Sequence, residues 1–423
     1  MQLKKWPLGL VIFALAAIWA YAAHDDAFDF PYIPFDHPAI QYEKRAPNDA
    51  VTRLQAEIDQ GKTRLEFDPH YSYLPSLLKH LGVPVDSQML VFSKTSFQGP
   101  RISPKSPRAL YFNDNIAVGY VPQGDVMEVI ATDPNEGIEF YTLDLDKTAH
   151  PEFLRRTMQC MQCHMIPATL NVPGLEITSV IPAPDGSLRF AASATMVDSR
   201  TPLDDRWGGW YVTGTAGNLQ SRANAFAPFP NLPSVLEYRN TQNLTSLSER
   251  LDTHQYLQPG SDIVALMTIE HQTRVNNLLT RLAWEAKMAA QDGKMDEFRS
   301  GRMKMVVDQL ARYMLFEGEA KIFDPIAGTS TFSKTFPERG PRDKQGRSLR
   351  DFDLKTRLFR YPLSYMIYSE LFDALPAEAK DAVYRELYDL LTGSQANWIS
   401  APDRAAIVEI VRDTKPGLPA YWK

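Results

Sequence analysis

The chain has 423 residues, 44% of them hydrophobic and 11% aromatic, with a formal net charge of -6 at pH 7. That content supports a substantial core and excludes an intrinsically disordered chain. The mild acidic balance offers no basic face to a nucleic acid.

The first residues have the layout of an export signal. Lys4 and Lys5 form a positive n-region and Pro7 to Trp19 an apolar h-region, with small residues at Ala20 and Ala22 where signal peptidase reads. Residues 1–22 are therefore expected to be a signal peptide cleaved after Ala22. The apolar run is marginal for spanning a bilayer, and an uncleaved membrane anchor is the alternative. No cysteine lies near the cleavage site, which excludes a lipoprotein. The mature chain, 23–423, is expected as one large periplasmic domain.

Phe28 to Ala46 is rich in Pro, Tyr and Phe and reads as an extended arm. Asn48 to Gln60 predicts a helix with Asn48 or Asp49 as cap and Gly61 as stop, and Pro75 to Leu81 a second one ending at Gly82. The texture then turns to β. Gln88–Ser93, Arg108–Phe112, Ile116–Val121, Val126–Thr132 and Ile138–Leu145 are short β-prone runs. Asn113-Asp114, Gln123-Gly124 and Asn135-Glu136-Gly137 separate them as in antiparallel hairpins. Arg101, Lys105 and Arg108 read as a solvated strand entrance. Pro151 to Met158 predicts a short helix. Glu176–Ile181 and Ser187–Phe190 flank Asp185-Gly186 as a further hairpin. From about 234 to 412 the chain becomes helical. The longest helix is expected from Ser261 to Gln291, closing at Gly293, with others over Met295–Phe316, Pro362–Phe372, Pro376–Leu391 and Pro402–Val411. Gly318 to Arg350 reads as irregular. The fold class is α+β: an antiparallel β region over about 89–215, packed with a helix-rich C-terminal half.

Five consecutive residues, Cys160-Met161-Gln162-Cys163-His164, carry the chemistry of the chain. This C-x-x-C-H spacing attaches haem c: each sulfur adds to one porphyrin vinyl group, and the adjacent imidazole is held under the iron. Both cysteines of the chain are in the motif, so no thiol remains for an iron–sulfur cluster or a zinc ribbon. A thioredoxin-like dithiol is the competing reading, but it wants a strand leading into the motif. The motif predicts one covalent haem c on Cys160 and Cys163, with His164 as proximal iron ligand and the β region and helices packed around it.

The motif resembles that of c-type cytochromes. Arg101–Asp114, Arg206–Thr215, Ser261–Gln272 and Arg360–Tyr368 resemble segments of large bacterial cytochrome c domain-containing proteins, a group described by its haem rather than by a reaction. The resemblance covers most of the mature chain. It implies a histidine just after Gly214-Thr215, where this chain has Ala216, so no ligand role is carried over to that position.

The sixth iron ligand separates an electron carrier from an enzyme. In the long helix Val264, Met267, His271, Val275, Leu278 and Leu282 form one apolar stripe, which turns His271 towards whatever the helix buries. His271 is the candidate distal ligand, against the alternative of a satisfied core histidine; Met196 and Met366 are the thioether candidates. Arg206, Trp207 and Trp210 are expected to bind the cofactor, the guanidinium at a propionate and the indoles as walls, against the alternative of a tight structural turn. The functional expectation is an exported monohaem cytochrome passing electrons to a redox partner protein. The alternative is a peroxidase- or oxidase-type haem enzyme with an open sixth site, and the sequence leaves enzymatic turnover undecided. A membrane association is expected only with an uncleaved leader.

Overall fold

The computed structural model describes residues 30–189, 194–232, 234–293 and 297–423. The expected signal peptide over 1–22 lies outside the described residues, as do Phe28, Phe190 and Met295, where three expected segments begin or end.

Two helices open the described chain. In α1, Ala50–Asp59, the Asp49 carboxylate accepts from the Val51 and Thr52 amides while Thr52 Oγ1 accepts from the Asp49 amide. This reciprocal cap satisfies amides that a helix N-terminus otherwise leaves without partners. α2, Leu74–His80, follows. Next come β1 (Met89–Val91), β2 (Arg108–Phe112), β3 (Ile116–Tyr120), β4 (Val126–Asp133), β5 (Gly137–Asp144) and β6 (Phe153–Arg155). The motif lies in α3, Thr157–His164. β7 (Thr178–Ser179) and β8 (Thr195–Met196) pair with each other, and β9 (Trp210–Tyr211) returns to the main sheet. That sheet is antiparallel with order β6-β5-β4-β3-β2-β1-β9. β10 (Gly214–Thr215) pairs with the later β11 (Ala327–Gly328).

The C-terminal half is built on α4, Ile263–Asp292, whose N-cap Asp262 accepts from Val264 and Ala265 and which ends at Gly293 with φ +59. α5 (Glu297–Met314), α6 (Phe332–Glu338), α7 (Glu370–Asp373), α8 (Ala377–Thr392) and α9 (Ala401–Thr414) follow. The α+β class, with the sheet in the N-terminal half and helices in the C-terminal half, holds.

The two faces of the sheet differ. Ala109, Tyr111, Val118, Val129 and Tyr141 are fully buried in a core shared with α1 and α2. On the opposite face Leu110, Ala117, Glu128 and Ile130 are only half-buried. The motif helix lies on this less covered side. α4 also has two faces. Its apolar stripe joins the core of the C-terminal helices, while Glu270, Asn277 and Arg281 bond to the chain around and after the motif.

Four expectations need correction. Pro151–Met158 is not one helix: Phe153, Leu154 and Arg155 pair with Leu143, Thr142 and Tyr141, so a tertiary ladder overrides local propensity, and a strand does lead into the motif helix, which removes that ground against a dithiol. The turn at Asp185-Gly186 exists, but β7 pairs with Thr195–Met196 rather than with Ser187 onward; only the Pro182–Leu188 bridge closes that turn. Pro362–Phe372 is broken into a 3-10 turn over Tyr365–Tyr368 and short α7, because Ser364 and Ser369 each cap a new start. Gly318–Arg350 contains α6, which buries Phe332 and Phe336.

Candidate functional site

α3 sets the geometry of the motif. At about 100° per residue, positions 160, 163 and 164 fall on one side of the helix and position 161 turns away from them. Met161 is buried in a small core with Tyr42, Trp284 and Met288. That anchor fixes the roll of the helix on α4 and leaves Cys160 half-buried and Cys163 exposed, both as free thiols. Burial pushes the Cys160 thiol up to about 12, with Glu128 adding to the shift and Arg156 opposing it. Cys163, exposed at the surface yet crowded by its neighbours, is raised by the same cause and by Glu176. Both therefore stand as protonated thiols.

His164 is held by its surroundings rather than by its own helix. Its ring lies 5.1 Å from that of Phe140 on β5. Nδ1 is 2.9 Å from the Gly174 carbonyl oxygen. A carbonyl only accepts, so Nδ1 carries the proton and Nε2 the lone pair. Burial lowers the pKa of the ring, opposed by the Gly174 bond, which keeps it neutral. A neutral imidazole with Nε2 lone pair free and Nδ1–H bonded to a carbonyl is the form a metal-binding histidine takes. Two thiols and this nitrogen on one side of one helix are the donor set that haem c requires, and the residues present fit the group.

The loop between His164 and β7 is braced from several sides. Thr169 Oγ1 takes the Ile166 amide and donates to the carbonyls of Ile166, Val172 or His164, while Arg281 Nη1 donates to the Leu170 and Pro31 carbonyls. Leu170 and Asn171 take left-handed φ values of +63 and +54. Each costs roughly 1–3 kcal/mol and persists because the surrounding bonds fix it.

Two charged residues beside the motif had no sequence signal of function. Arg108 on β2 donates to Glu128 on β4 at 2.6 Å, and Ser96 holds the other Glu128 oxygen. Both act on His164, Arg108 lowering and Glu128 raising its pKa. Arg108 is thus no solvated strand entrance, and only the strand register shows it. Comparison with protein-family models, curated proteins and solved structures finds no match. The site rests on its own chemistry.

Cys160, Cys163 and His164 share one short helix, whereas Arg206, Trp207 and His271 are bonded to other partners. The Arg206 guanidinium, expected at a propionate, instead binds Glu270 at 2.7 Å and the Ser199 and Thr201 carbonyls. Trp207 donates Nε1 to the second Glu270 oxygen at 2.6 Å and holds a left-handed φ of +69. Gly208 follows, where a Cβ would lie 2.0 Å from the Val180 carbonyl oxygen. The tryptophan-rich segment is the tight structural turn. Trp210 differs in place: its Nε1 donates to the Thr178 carbonyl, on the strand that leaves the motif loop.

His271 lies on the far face of α4. It stacks on Phe316 at 4.1 Å and Tyr313 at 5.1 Å, and Nε2 meets Ser364 Oγ at 2.8 Å. Burial lowers its pKa to about 3. It is buried in the C-terminal core with its Nδ1 left without a hydrogen-bond partner among the described residues; the hydrophobic pattern shows that it is buried, but the period of a helix does not say which neighbour covers it. Met366 is buried in the same C-terminal core. Met196 instead stands opposite Thr178 in the β7–β8 pair, half-buried.

Proposed function

We propose that the protein is an exported monohaem c-type cytochrome that holds haem covalently on Cys160 and Cys163, ligates its iron through His164 and passes electrons to a redox partner protein. The observation that carries this reading is the His164 ring, neutral and oriented by the Gly174 carbonyl with Nε2 left for a metal. Haem c, when bound, supplies a one-electron iron centre. Each thiol adds its sulfur to one carbon of a vinyl double bond and its hydrogen to the other, so attachment consumes no oxidant.

For the sixth position the reading takes Met196. The chain leaves Gly174, passes Glu176, which acts electrostatically on Cys163, and enters β7. Met196 is the cross-strand partner of Thr178, whose carbonyl takes the Trp210 indole N–H. Met196 is thus the thioether candidate on the strand pair that the chain enters from the motif loop. A thioether there raises the reduction potential and suits electron transfer. Leu154 and Met158, 37% and 49% exposed, give a partner an apolar approach beside the cysteines. Export brings the chain to the periplasm, where haem c is attached, and an uncleaved leader would keep it on the membrane.

The test is an absorption spectrum of the holoprotein, oxidised, reduced, and reduced under carbon monoxide. Wild type is expected to be low-spin and unmoved by carbon monoxide, and Met196→Leu to open the iron so that carbon monoxide shifts the reduced spectrum. A wild-type spectrum that is already high-spin and carbon-monoxide-sensitive contradicts the electron carrier and favours a peroxidase- or oxidase-type enzyme.

A further inference from the structure

The peptide unit between Gly174 and Leu175 is bonded at both ends. Its carbonyl accepts from His164 Nδ1 at 2.9 Å, and its N–H donates to Asn277 Oδ1 at 3.0 Å. Asn277 lies on α4, 102 residues from Leu175 in sequence. Its side-chain amide closes a second bond, Nδ2 donating to the Leu175 carbonyl at 2.8 Å. On the other side the Gly174 amide donates to the His164 carbonyl at 2.8 Å. The peptide group is planar and conjugated, so orienting its N–H orients its carbonyl. Asn277 is fully buried, and both of its polar atoms are spent on Leu175.

Gly174 leaves room for this arrangement. A Cβ there would sit 2.5 Å from Asn277 Oδ1 and 2.8 Å from Thr169 Cβ. No side chain fits between the loop and α4 at that point.

We infer that Asn277 is a positioning residue for the proximal ligand, acting through the Gly174–Leu175 peptide to set the orientation and basicity of His164. This rests on the haem-c reading proposed above. The bonds run in one direction: His164 Nδ1–H to the Gly174 carbonyl, then the Leu175 N–H to the Asn277 carbonyl. Bonds in such a chain polarise one another, so an acceptor on the Leu175 N–H makes the Gly174 oxygen a stronger acceptor for the ring proton. A ring proton drawn away leaves more negative charge on the imidazole. That favours ferric over ferrous iron and lowers the reduction potential.

The sign of this effect separates it from a packing role. Asn277→Leu keeps the approximate volume but removes the acceptor, so the potential of the holoprotein is expected to rise. Asn277→Asp keeps an oxygen facing the Leu175 N–H, so its potential is expected at or below that of wild type. Leu278→Ala, on the neighbouring position that faces the C-terminal core, lowers stability and is expected to leave the potential alone. Potentials of the Leu and Asp variants that move together, or a Leu variant that tracks Leu278→Ala, overturn the relay. Should the Asn277 variants fail to mature, hydrogen exchange in the wild-type holoprotein decides. The Leu175 amide is expected among the slowest to exchange, and fast exchange there overturns the proposal. A wild-type chain that matures without haem overturns the haem reading and the relay together, whereas haem present with the wrong pattern of potentials overturns the relay alone.

Discussion

Glu270 is a fully buried carboxylate with two donors, Arg206 and Trp207. Burial pushes its pKa up to about 7, with Arg206 and the Trp207 indole pulling the other way. Removing one partner of such a pair strands the other in a medium of low polarity. Arg206→Met is therefore expected to cost about 3–5 kcal/mol of stability by that argument, read by denaturant unfolding, while the haem stays attached. A cost within the range of a surface substitution contradicts the structural role assigned here. The residues of the motif are legible in the sequence because the proposed covalent attachment needs contiguous spacing. Glu270 is not, because it lies 64 positions from Arg206 in sequence and meets it only when the chain folds back. Asn277 and Gly174 share that difficulty: neither carries a local signature, and each has meaning only through the other. His271 shows the converse, since its pattern announces burial but names no partner.

Among the elements, legibility follows how much of the cause is local. α1 with its Asp49 cap, α4 with its stripe and Gly293 stop, and α9 with Ser400 accepting from the Asp403 amide all sit where period and capping residues put them. The five expected β runs become β1 to β5, in hairpin order. Elements whose cause is remote carry no such local signal. β6 exists because β5 offers it an edge, and β8 because β7 does. β9 closes the far edge of the sheet by pairing Trp210 and Tyr211 with Val91 and Leu90. In each case two or three residues become a strand through a distant partner, and a short run has no period to read. The same holds for α6, hidden in a stretch rich in Gly, Pro and charge.

At the scale of the molecule, pH acts on stability through carboxyl groups of opposite kinds. Glu319 accepts the Leu358 amide, and burial pushes its pKa up to about 7 from an ordinary 4.5. A raised folded-state pKa means the folded protein binds this proton more tightly than the unfolded one. The contribution is fully present below pH 4.5 and is lost as the pH rises to about 7. Glu319→Gln keeps an acceptor for Leu358 and abolishes the titration. Its melting temperature relative to wild type is therefore expected to increase across that window, and a difference that stays flat with pH contradicts the assignment. Asp198 runs the other way. Burial works against its charge, but Arg200 holds it down to about 2, so its contribution is present above 3.8 and is lost as the pH falls to about 2.

The α+β layout is what gives the motif its setting. The sheet supplies Phe140, Arg108 and Glu128, α4 supplies the anchor under Met161 and the brace on the loop, and α3 presents the thiols between them. All of this turns on a haem being joined to the chain. The most direct measurement is the intact mass, under denaturing conditions, of the protein matured in a host that attaches haem c. Wild type should carry the added mass of one haem, and the Cys160→Ala, Cys163→Ala double variant none. A wild-type chain that keeps only its apo mass, in a host that loads other c-type cytochromes, would contradict the central claim.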